Sequence, residues 1–302
     1  MPSIAAQLIL NGLIAGAIYS LVACGFSLIY GVTKLMHFAH GAVLALGAYF
    51  MFTLAVGAGM EFWLAVLLTV VCSALAGELM NRAAYRPLRK RKASGAVQLI
   101  ASIALMTFFN SLILAVWGAD VKTIPLKNPV YDFLGARITF MQVTIIAVSV
   151  VLLIWLWWLM KKTKLGKAMR AVSDNKDVAQ TVGINPEKIY TKTFMIGSAL
   201  AGVAGILIGI EQNLYPTMGM SLAIKGFTGA VVGSIASVPG AVLGFFNRGR
   251  ADVHRLVLRV LNQLLRFRFP ALDLGLVLLF KRTEAPFENI RLLLQFLLLL
   301  RH

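Results

Sequence analysis

Charged residues, and acidic residues above all, are scarce in this chain. Only 14% of its 302 residues are charged, and 12 acidic side chains stand against 29 basic ones. A typical soluble domain is about 25% charged, so the chain has too little polar surface to cover a globule in water. With 59% hydrophobic residues and a mean hydropathy of +0.81, the lipid bilayer is the solvent that fits. The net charge of +17 falls in clusters between long uncharged runs, which indicates membrane topology rather than nucleic-acid binding.

The usual signatures of catalysis and metal binding are also missing. Cys24 and Cys72 lie in apolar runs with no CxxC or Cys/His spacing, so we expect small buried side chains and no metal site. The chain has no G-x-x-x-x-G-K-[ST] phosphate loop, and we therefore expect no ATP hydrolysis by the chain itself. No carboxylate pair or Ser/His/Asp arrangement is apparent, which argues against an enzyme.

Long uncharged runs predict an all-α, polytopic transmembrane helical bundle of about seven or eight spans. A helix needs about 20 mostly apolar residues to cross the hydrocarbon core. Most of the runs qualify, and the third does so if its helix continues to about Asn81. The runs are 1–33, 35–60, 62–77, 93–119, 138–160, 193–210 and 226–247. They predict one transmembrane domain over residues 1–247.

Two basic clusters set the predicted orientation. One lies in residues 82–92 and the other in residues 161–192. Lys and Arg are enriched in cytoplasmic loops, so both clusters are predicted to face the cytoplasm. The proline-containing segment 118–139 is then an irregular loop on the outer side. Counting back places the N-terminus outside and Lys34 at the first cytoplasmic turn.

The cytoplasmic segment 161–192 is predicted to contain a short helix of about nine residues. Ser173 or Asp174 is expected to cap its start, and Gly183 to end it. A new helix then begins at Asn185-Pro186-Glu187, with Asn as the cap and Pro in the first position.

This short helix is predicted to carry a small apolar face formed by Val178, Ala179 and Val182. Asp177 in its first turn complements the helix dipole. An isolated helix of this length is marginal, so it needs a partner that covers the apolar face. The alternative is an ordinary basic loop that lies on anionic lipid.

Polar positions inside the runs are candidates for a transport pathway. His37 and His40 are predicted to share a helix face, and a hydrogen-bonding or gating role is favoured over substrate contact. No nearby Cys, Asp or Glu completes a metal site around them. The other polar candidates are Glu78, Asn110, Glu211 and Gln212, of which the last two are expected at the outer interface.

Glycine and proline are dense enough in residues 226–240 to break a membrane helix. Broken backbone is tolerated at membrane depth only where protein or a cavity receives its polar groups, so this stretch is predicted to line the pathway. The full set of candidate pathway residues is His37, His40, Gly41, Asn110, Gly226, Gly229, Gly233, Pro239 and Gly240. Elsewhere, small residues at helical spacing, such as Ala201, Gly205 and Gly209, favour close helix packing.

Several motifs carry a family resemblance. They are Asn11-Gly12-Leu13 with Gly16 and Tyr19; Leu35 to Gly41 with Gly47-Ala48-Tyr49; Met169 to Ser173; Val182 to Asn185; and Lys225-Gly226-Phe227 through Gly233 to Ala241. In order along residues 5–246, they resemble the LivH family of branched-chain amino acid permeases, although His37 stands where the family usually has Asn. Residues 177–183 resemble the EAA-xxx-G loop of ABC-importer permeases, with Asp177 for Glu and Val178 for the first Ala.

The resemblance implies a permease subunit of an ABC importer in the bacterial inner membrane, whose cytoplasmic loop docks on an ATP-binding subunit. The residues implied in this coupling are Asp174, Asp177, Val178, Ala179, Val182 and Gly183. The implied partners are two ATP-binding subunits, a second related permease chain and a periplasmic substrate-binding protein. This chain would bind no cofactor itself, and ATP would be used by the partner. The implied substrates are branched-chain or related aliphatic amino acids moved inward, with urea or short amides as the near alternative.

Two other classes remain open from the residues alone. One is an independent secondary transporter or channel, against which the sparse intramembrane ionisable groups count. The other is a membrane protein with only a structural role. The resemblance ends near Phe246, and residues 248–302 contain 17 Leu and 9 Arg. This composition predicts a Leu/Arg-rich tail that is either highly divergent or translated out of frame.

Overall fold

The computed structural model describes residues 4–125, 129–133 and 136–232. Helices dominate because a segment in hydrocarbon must satisfy its backbone hydrogen bonds internally. The helices are α1 (Ile4–Thr33), α2 (His40–Phe52), α3 (Phe62–Met80), α4 (Arg86–Lys90), α5 (Gly95–Trp117), α6 (Phe140–Lys162), α7 (Lys164–Asp174), α8 (Lys176–Thr181), α9 (Pro186–Glu211) and α10 (Met218–Val232). One π-helical turn, Thr53–Gly57, follows α2, and another, Asn81–Tyr85, follows α3.

Six helical segments of the described residues are long and apolar enough to cross a membrane. They are Leu10–Thr33, His40–Gly57, Phe62–Lys90, Gly95–Trp117, Phe140–Lys162 and Pro186–Glu211. The predicted helical membrane bundle is thus confirmed, with these segments matching the first six uncharged runs. The seventh run is described only as far as Val232, and the tail 248–302 lies outside the described residues.

α1, α2 and α9 form the centre of the bundle. In the most apolar window of α9, 72% of the residues are buried, against 17% for α5 and 22% for α6. The peripheral helices α3, α5 and α6 therefore present apolar side chains outward, such as Trp63, Ile100 and Val151, as lipid-facing helices do.

Glycine allows α2 and α9 to approach closely. A Cβ atom at Gly205 would run into the carbonyl oxygen of Leu44, and one at Gly209 would lie 3.2 Å from the Cβ atom of Ala48. The close packing predicted for this ladder is present. Together with the contact of His37 and Phe194, these glycine contacts show that the two helices run in the same direction. Gly25 approaches both His40 and Gly197, which places His40 level with Gly197, roughly 17 Å along α9 from its start. α2 therefore begins deep inside the bundle, and residues 34–39 lead back to that depth from the end of α1.

The two ends of the bundle differ in charge. At one end, here called the basic end, the Nζ atom of Lys34 lies 3.4 Å from the Ser173 hydroxyl, and Arg89 pairs with Glu187. At the opposite end, here called the far end, Gln142 contacts Glu211, and the backbone of Lys122 pairs with that of Leu214. The two basic clusters thus share one end, as the predicted orientation requires.

The predicted irregular loop 118–139 contains a β-hairpin at the far end. Strands β1 (Val130–Phe133) and β2 (Ala136–Thr139) pair antiparallel. Thr139 ends β2 and also caps α6, because its hydroxyl accepts a hydrogen bond from the Gln142 backbone while the Gln142 side chain accepts one from the Thr139 backbone. This reciprocal capping box fixes the direction of the Gln142 side chain.

Candidate functional site

The short helix predicted at the basic end exists, but it is shorter and is capped differently. α8 spans six residues rather than nine, and its cap is Asn175, whose side-chain oxygen accepts from the backbone of Asp177 at 2.9 Å and of Val178 at 3.1 Å. The predicted caps were wrong: Asp174 ends α7, and the Ser173 hydroxyl instead donates to the carbonyl of Gly31 at 2.7 Å.

Both predicted boundaries after α8 are confirmed. Gly183 has a φ of +83°, a left-handed conformation that suits glycine just after a helix. Asn185 caps α9 by accepting from the backbone of Glu187 and Lys188, and Pro186 occupies the first turn. Two short turns thus separate α8 from α7 and from α9.

The predicted common apolar face of α8 is wrong. Ala179 is only 2% exposed, whereas Val178 is 58% and Val182 70% exposed. Ala179 therefore packs against this chain and is unavailable to a partner. Asp174, Asp177 and Gly183 are exposed beside the two valines, so five of the six predicted coupling residues lie on accessible surface.

α8 is joined firmly to the bundle on both sides. On one side, α7 buries Met169 and Val172 and contacts α1 through Ser173. On the other side, α9 begins with Glu187, whose carboxylate receives two hydrogen bonds from Arg89. α8 thus lies between two helices that are anchored to α1 and to α4.

The two histidines lie inside the bundle but do not share a helix face. His37 precedes α2 in the non-helical segment 34–39, and His40 is the first residue of α2, because the chain turns there instead of continuing a helix. Their ring centroids are still 6.0 Å apart. The Nδ1 atom of His37 lies 2.8 Å from the Tyr85 hydroxyl, and the Tyr85 ring stacks on Phe194.

His40 packs against the backbone of two helices. A Cβ atom at Gly25 would meet the His40 ring at 2.9 Å, and the Val22 carbonyl also interacts with this ring. His37 and His40 thus connect the start of α2 to the π-helical turn after α3, to α1 and to α9. The hydrogen-bonding or gating role of the two histidines stays a prediction.

The remaining predicted pathway residues do not converge. Gly41 approaches the backbone of Gly219, whereas Gly226 packs on Val22, and Asn110 lies on the peripheral helix α5. Gly226 and Gly229 belong to a continuous helix, so the predicted break does not occur within residues 218–232. The predictions for Gly233, Pro239 and Gly240 fall outside the described residues.

A cavity of about 340 Å³ lies toward the far end between α1, α6, α9 and α10. Its lining residues are Asn11, Ile14, Ala15, Ile18, Tyr19, Gln142, Ile208, Glu211, Gln212 and Leu222. The sequence singled out Glu211 and Gln212 but expected them at the outer interface. Asn11, Tyr19 and Gln142 were missed as lining residues, although the spacing 11, 14, 15, 18, 19 marks one face of α1.

The polar lining is held in place by hydrogen bonds. The Gln142 amide, fixed by the capping box, donates to one oxygen of Glu211 at 2.9 Å. The Asn11 amide oxygen accepts from Gln7 at 3.1 Å, and Gln7 in turn bonds to the Arg137 backbone in β2. At the inner end, the Nζ atom of Lys225 lies 3.2 Å from the Tyr19 hydroxyl. The β-hairpin therefore supports a polar wall.

Six segments that can cross a membrane define a multi-pass helical membrane protein, and α1, α6, α9 and α10 of its bundle line a partly polar cavity. A family model described as a branched-chain amino acid transport system permease component matches residues 8–255. The chain belongs to this family.

Curated relatives agree with the family match. The chain is 33% identical over 262 residues to the high-affinity branched-chain amino acid transport system permease protein BraD of Pseudomonas aeruginosa, covering 82% of this chain and 84% of that protein. It is 32% identical over 261 residues to LivH of Escherichia coli K12, with the same coverage. It is 31% identical over 258 residues to a probable LivH of Methanocaldococcus jannaschii, covering 82% and 80%. No solved structure matches the chain.

Proposed function

We propose that this chain is the membrane-spanning permease subunit of an ABC importer that moves branched-chain or related aliphatic amino acids inward. Its energy comes from ATP used by two partner ATP-binding subunits. A second related permease chain completes the membrane part, and a periplasmic binding protein delivers the substrate. The basic end faces the cytoplasm of a bacterial cell, as its lysines and arginines favour.

This proposal rests on the way in which α8 is attached to the bundle. The helix presents Val178 and Val182 outward while Ala179 holds it against its own chain. Exposed large apolar side chains on a short helix at the basic end suit a groove in another protein. Since α8 is linked through α7 to α1 and directly to α9, its movement by a partner would shift the central helices. Alternating access needs such a contact that differs between two states.

The substrate class is supported by two independent features. The curated relatives are named as branched-chain amino acid permeases. In this chain, the far-end cavity has aliphatic walls from Ile14, Ile18 and Ile208 beside its polar groups. An aliphatic wall next to a few placed polar groups is the usual composition of a small-molecule site.

The test is a matched pair of valine substitutions. Val178 on α8 and Val130 on the hairpin are both 58% exposed, but only Val178 faces the proposed partner. In membranes that contain the chain with its ATPase, second permease and binding protein, Val178→Asp should reduce leucine uptake and stimulated ATPase activity roughly tenfold or more, because a charge enters an apolar interface. Val130→Asp should leave both unchanged.

Two outcomes would contradict the proposal. One is Val178→Asp protein that still co-purifies with the ATPase and supports full uptake. The other is leucine accumulation by vesicles that hold the chain but no ATPase.

A further inference from the structure

The cavity wall contains a carboxylate with one oxygen available. Gln142 occupies one oxygen of Glu211, and Glu211 is only partly exposed. No basic side chain of the described residues lies within 4.0 Å of this carboxylate. A carboxylate in a membrane-spanning helix is stabilised by a partner of opposite sign, so the cavity favours a ligand that carries a cationic group.

A basic side chain, Lys225, lies beside the inner end of the cavity and outside its lining. Tyr19 lines the cavity, and the Nζ atom of Lys225 lies near its hydroxyl and 5.3 Å from the centre of its ring. Within the described parts of the chain, no carboxylate lies in salt-bridge range of Lys225. The Lys225–Tyr19 pair therefore presents a cation and a hydroxyl that together suit a carboxylate.

Lys225 is exposed on α10, but it lies at mid-depth along the helices of the bundle. Gly226, the next residue, packs on Val22, and Gly25, three residues further along α1, packs on Gly197 of α9. Gly197 lies roughly 17 Å along α9 from Pro186, and Lys225 lies further still from the basic end. A lysine at this depth is costly and usually marks a route for a charged solute.

The Glu211 carboxylate and the Lys225–Tyr19 pair, here called the two charged stations, are separated along α1. Asn11, beside Glu211, and Tyr19, beside Lys225, are eight residues apart on α1, which corresponds to about 12 Å. The ammonium and carboxylate groups of an α-amino acid share one carbon atom, so one molecule touches the stations in succession rather than together. Between them lie the side chains of Ile14, Ile18, Ile208 and Leu222.

We propose that this cavity is a binding site for a zwitterionic α-amino acid with an aliphatic side chain. Glu211 binds its ammonium group at the far end, and the Lys225–Tyr19 pair then binds its carboxylate further in. This site rests on the proposed function and adds the groups that select the substrate. Urea and short amides carry no charge and would leave both stations unpaired, so the site disfavours them.

The experiment separates the two charges of leucine. The membrane complex is placed in nanodiscs without the soluble binding protein, and bound labelled L-leucine is displaced by isopentylamine, which lacks the carboxylate, or by 4-methylpentanoate, which lacks the ammonium group. Glu211→Gln should weaken displacement by the amine roughly tenfold or more and leave the acid unaffected, because one charged contact is lost. Lys225→Gln should do the reverse.

Controls and opposing outcomes are built into the same measurement. Glu61→Gln and Lys122→Gln change charges that lie outside the cavity lining and should alter neither displacement. The ratio of the two inhibition constants is independent of the amount of folded protein, so poor expression of a variant does not change this ratio.

Unchanged ratios in complexes that retain ATP-driven leucine uptake would overturn this site alone. Absence of ATP-driven uptake by the unsubstituted complex would overturn the proposed function, and absence of leucine binding to it would overturn the site.

Discussion

Arg89 donates two parallel hydrogen bonds to the Glu187 carboxylate, from Nε to Oε1 at 3.1 Å and from Nη2 to Oε2 at 2.9 Å. The same Nη2 atom donates to the Asn81 side chain at 2.8 Å, and the guanidinium lies over the Tyr190 ring. This fork joins the end of the third membrane segment to the first turn of α9. It therefore holds the end of α9 that is adjacent to α8.

Replacement of Arg89 should destabilise the folded protein. Arg89 has a side-chain exposure of only 14%, and its loss leaves a half-buried carboxylate short of donors. We expect Arg89→Ala to cost about 1–3 kcal/mol, seen as a lower Tm in detergent. Arg89→Lys should recover only part of this, because an ammonium group cannot form the fork.

Arg86 supplies the matched control for this prediction. It lies 3.9 Å from the same carboxylate and is 45% exposed, so Arg86→Ala should change the Tm little, as for most surface pairs. Equal losses for the two arginines would contradict the role given to the fork.

The conformation of Gly183 should matter for coupling. A Cβ atom there meets nothing within 4 Å, so only the φ of +83° opposes a side chain. Gly183→Ala should cost about 1 kcal/mol at the end of α8 and lower the amount of leucine transported per ATP hydrolysed. Gly183→Asn should be milder, because Asn tolerates this conformation.

Gly59 tests whether backbone strain alone explains such an effect. It has a φ of +62° and equally open surroundings, but it precedes α3 and lies far from α8 in the chain. Gly59→Ala should leave the transport-to-ATPase ratio unchanged, and an equal fall in that ratio would argue against a special role for α8.

The orientation of the chain can be tested with single cysteines. After Cys24 and Cys72 are replaced by Ala, Leu88→Cys and Lys176→Cys should react with an impermeant maleimide only from the cytoplasmic side. Tyr131→Cys, at a position that is 54% exposed on the hairpin, should react only from outside. This pattern follows from the basic end facing inward, and the reverse pattern would invert the membrane topology.

Local features of the chain were predictable because local forces decide them. Uncharged runs identified the spans since hydrocarbon excludes charge, and Gly183 and Asn185 marked helix boundaries by their own backbone and capping chemistry. The cap of α8 was misplaced because Ser173, Asp174 and Asn175 are all good caps. What selects Asn175 is the tertiary contact of Ser173 with Gly31, which no local pattern contains.

The substrate-sized cavity was not predictable for a related reason. Asn11, Gln142 and Glu211 are far apart in sequence and meet only because α1, α6 and α9 pack together. Similarly, helical spacing grouped Val178, Ala179 and Val182 on one side. The fold instead buries the smallest of the three against its own chain and leaves both valines exposed.

The deep start of α2 has a consequence for how the protein is made. The neighbours that receive residues 34–40 include Tyr85 and Phe194, and Phe194 emerges from the ribosome long after α2 does. Until α9 is inserted, residues 34–40 lack their contact with Phe194. Contacts between residues that are distant in sequence form slowly. The start of α2 therefore completes its packing only after α9 has joined the bundle.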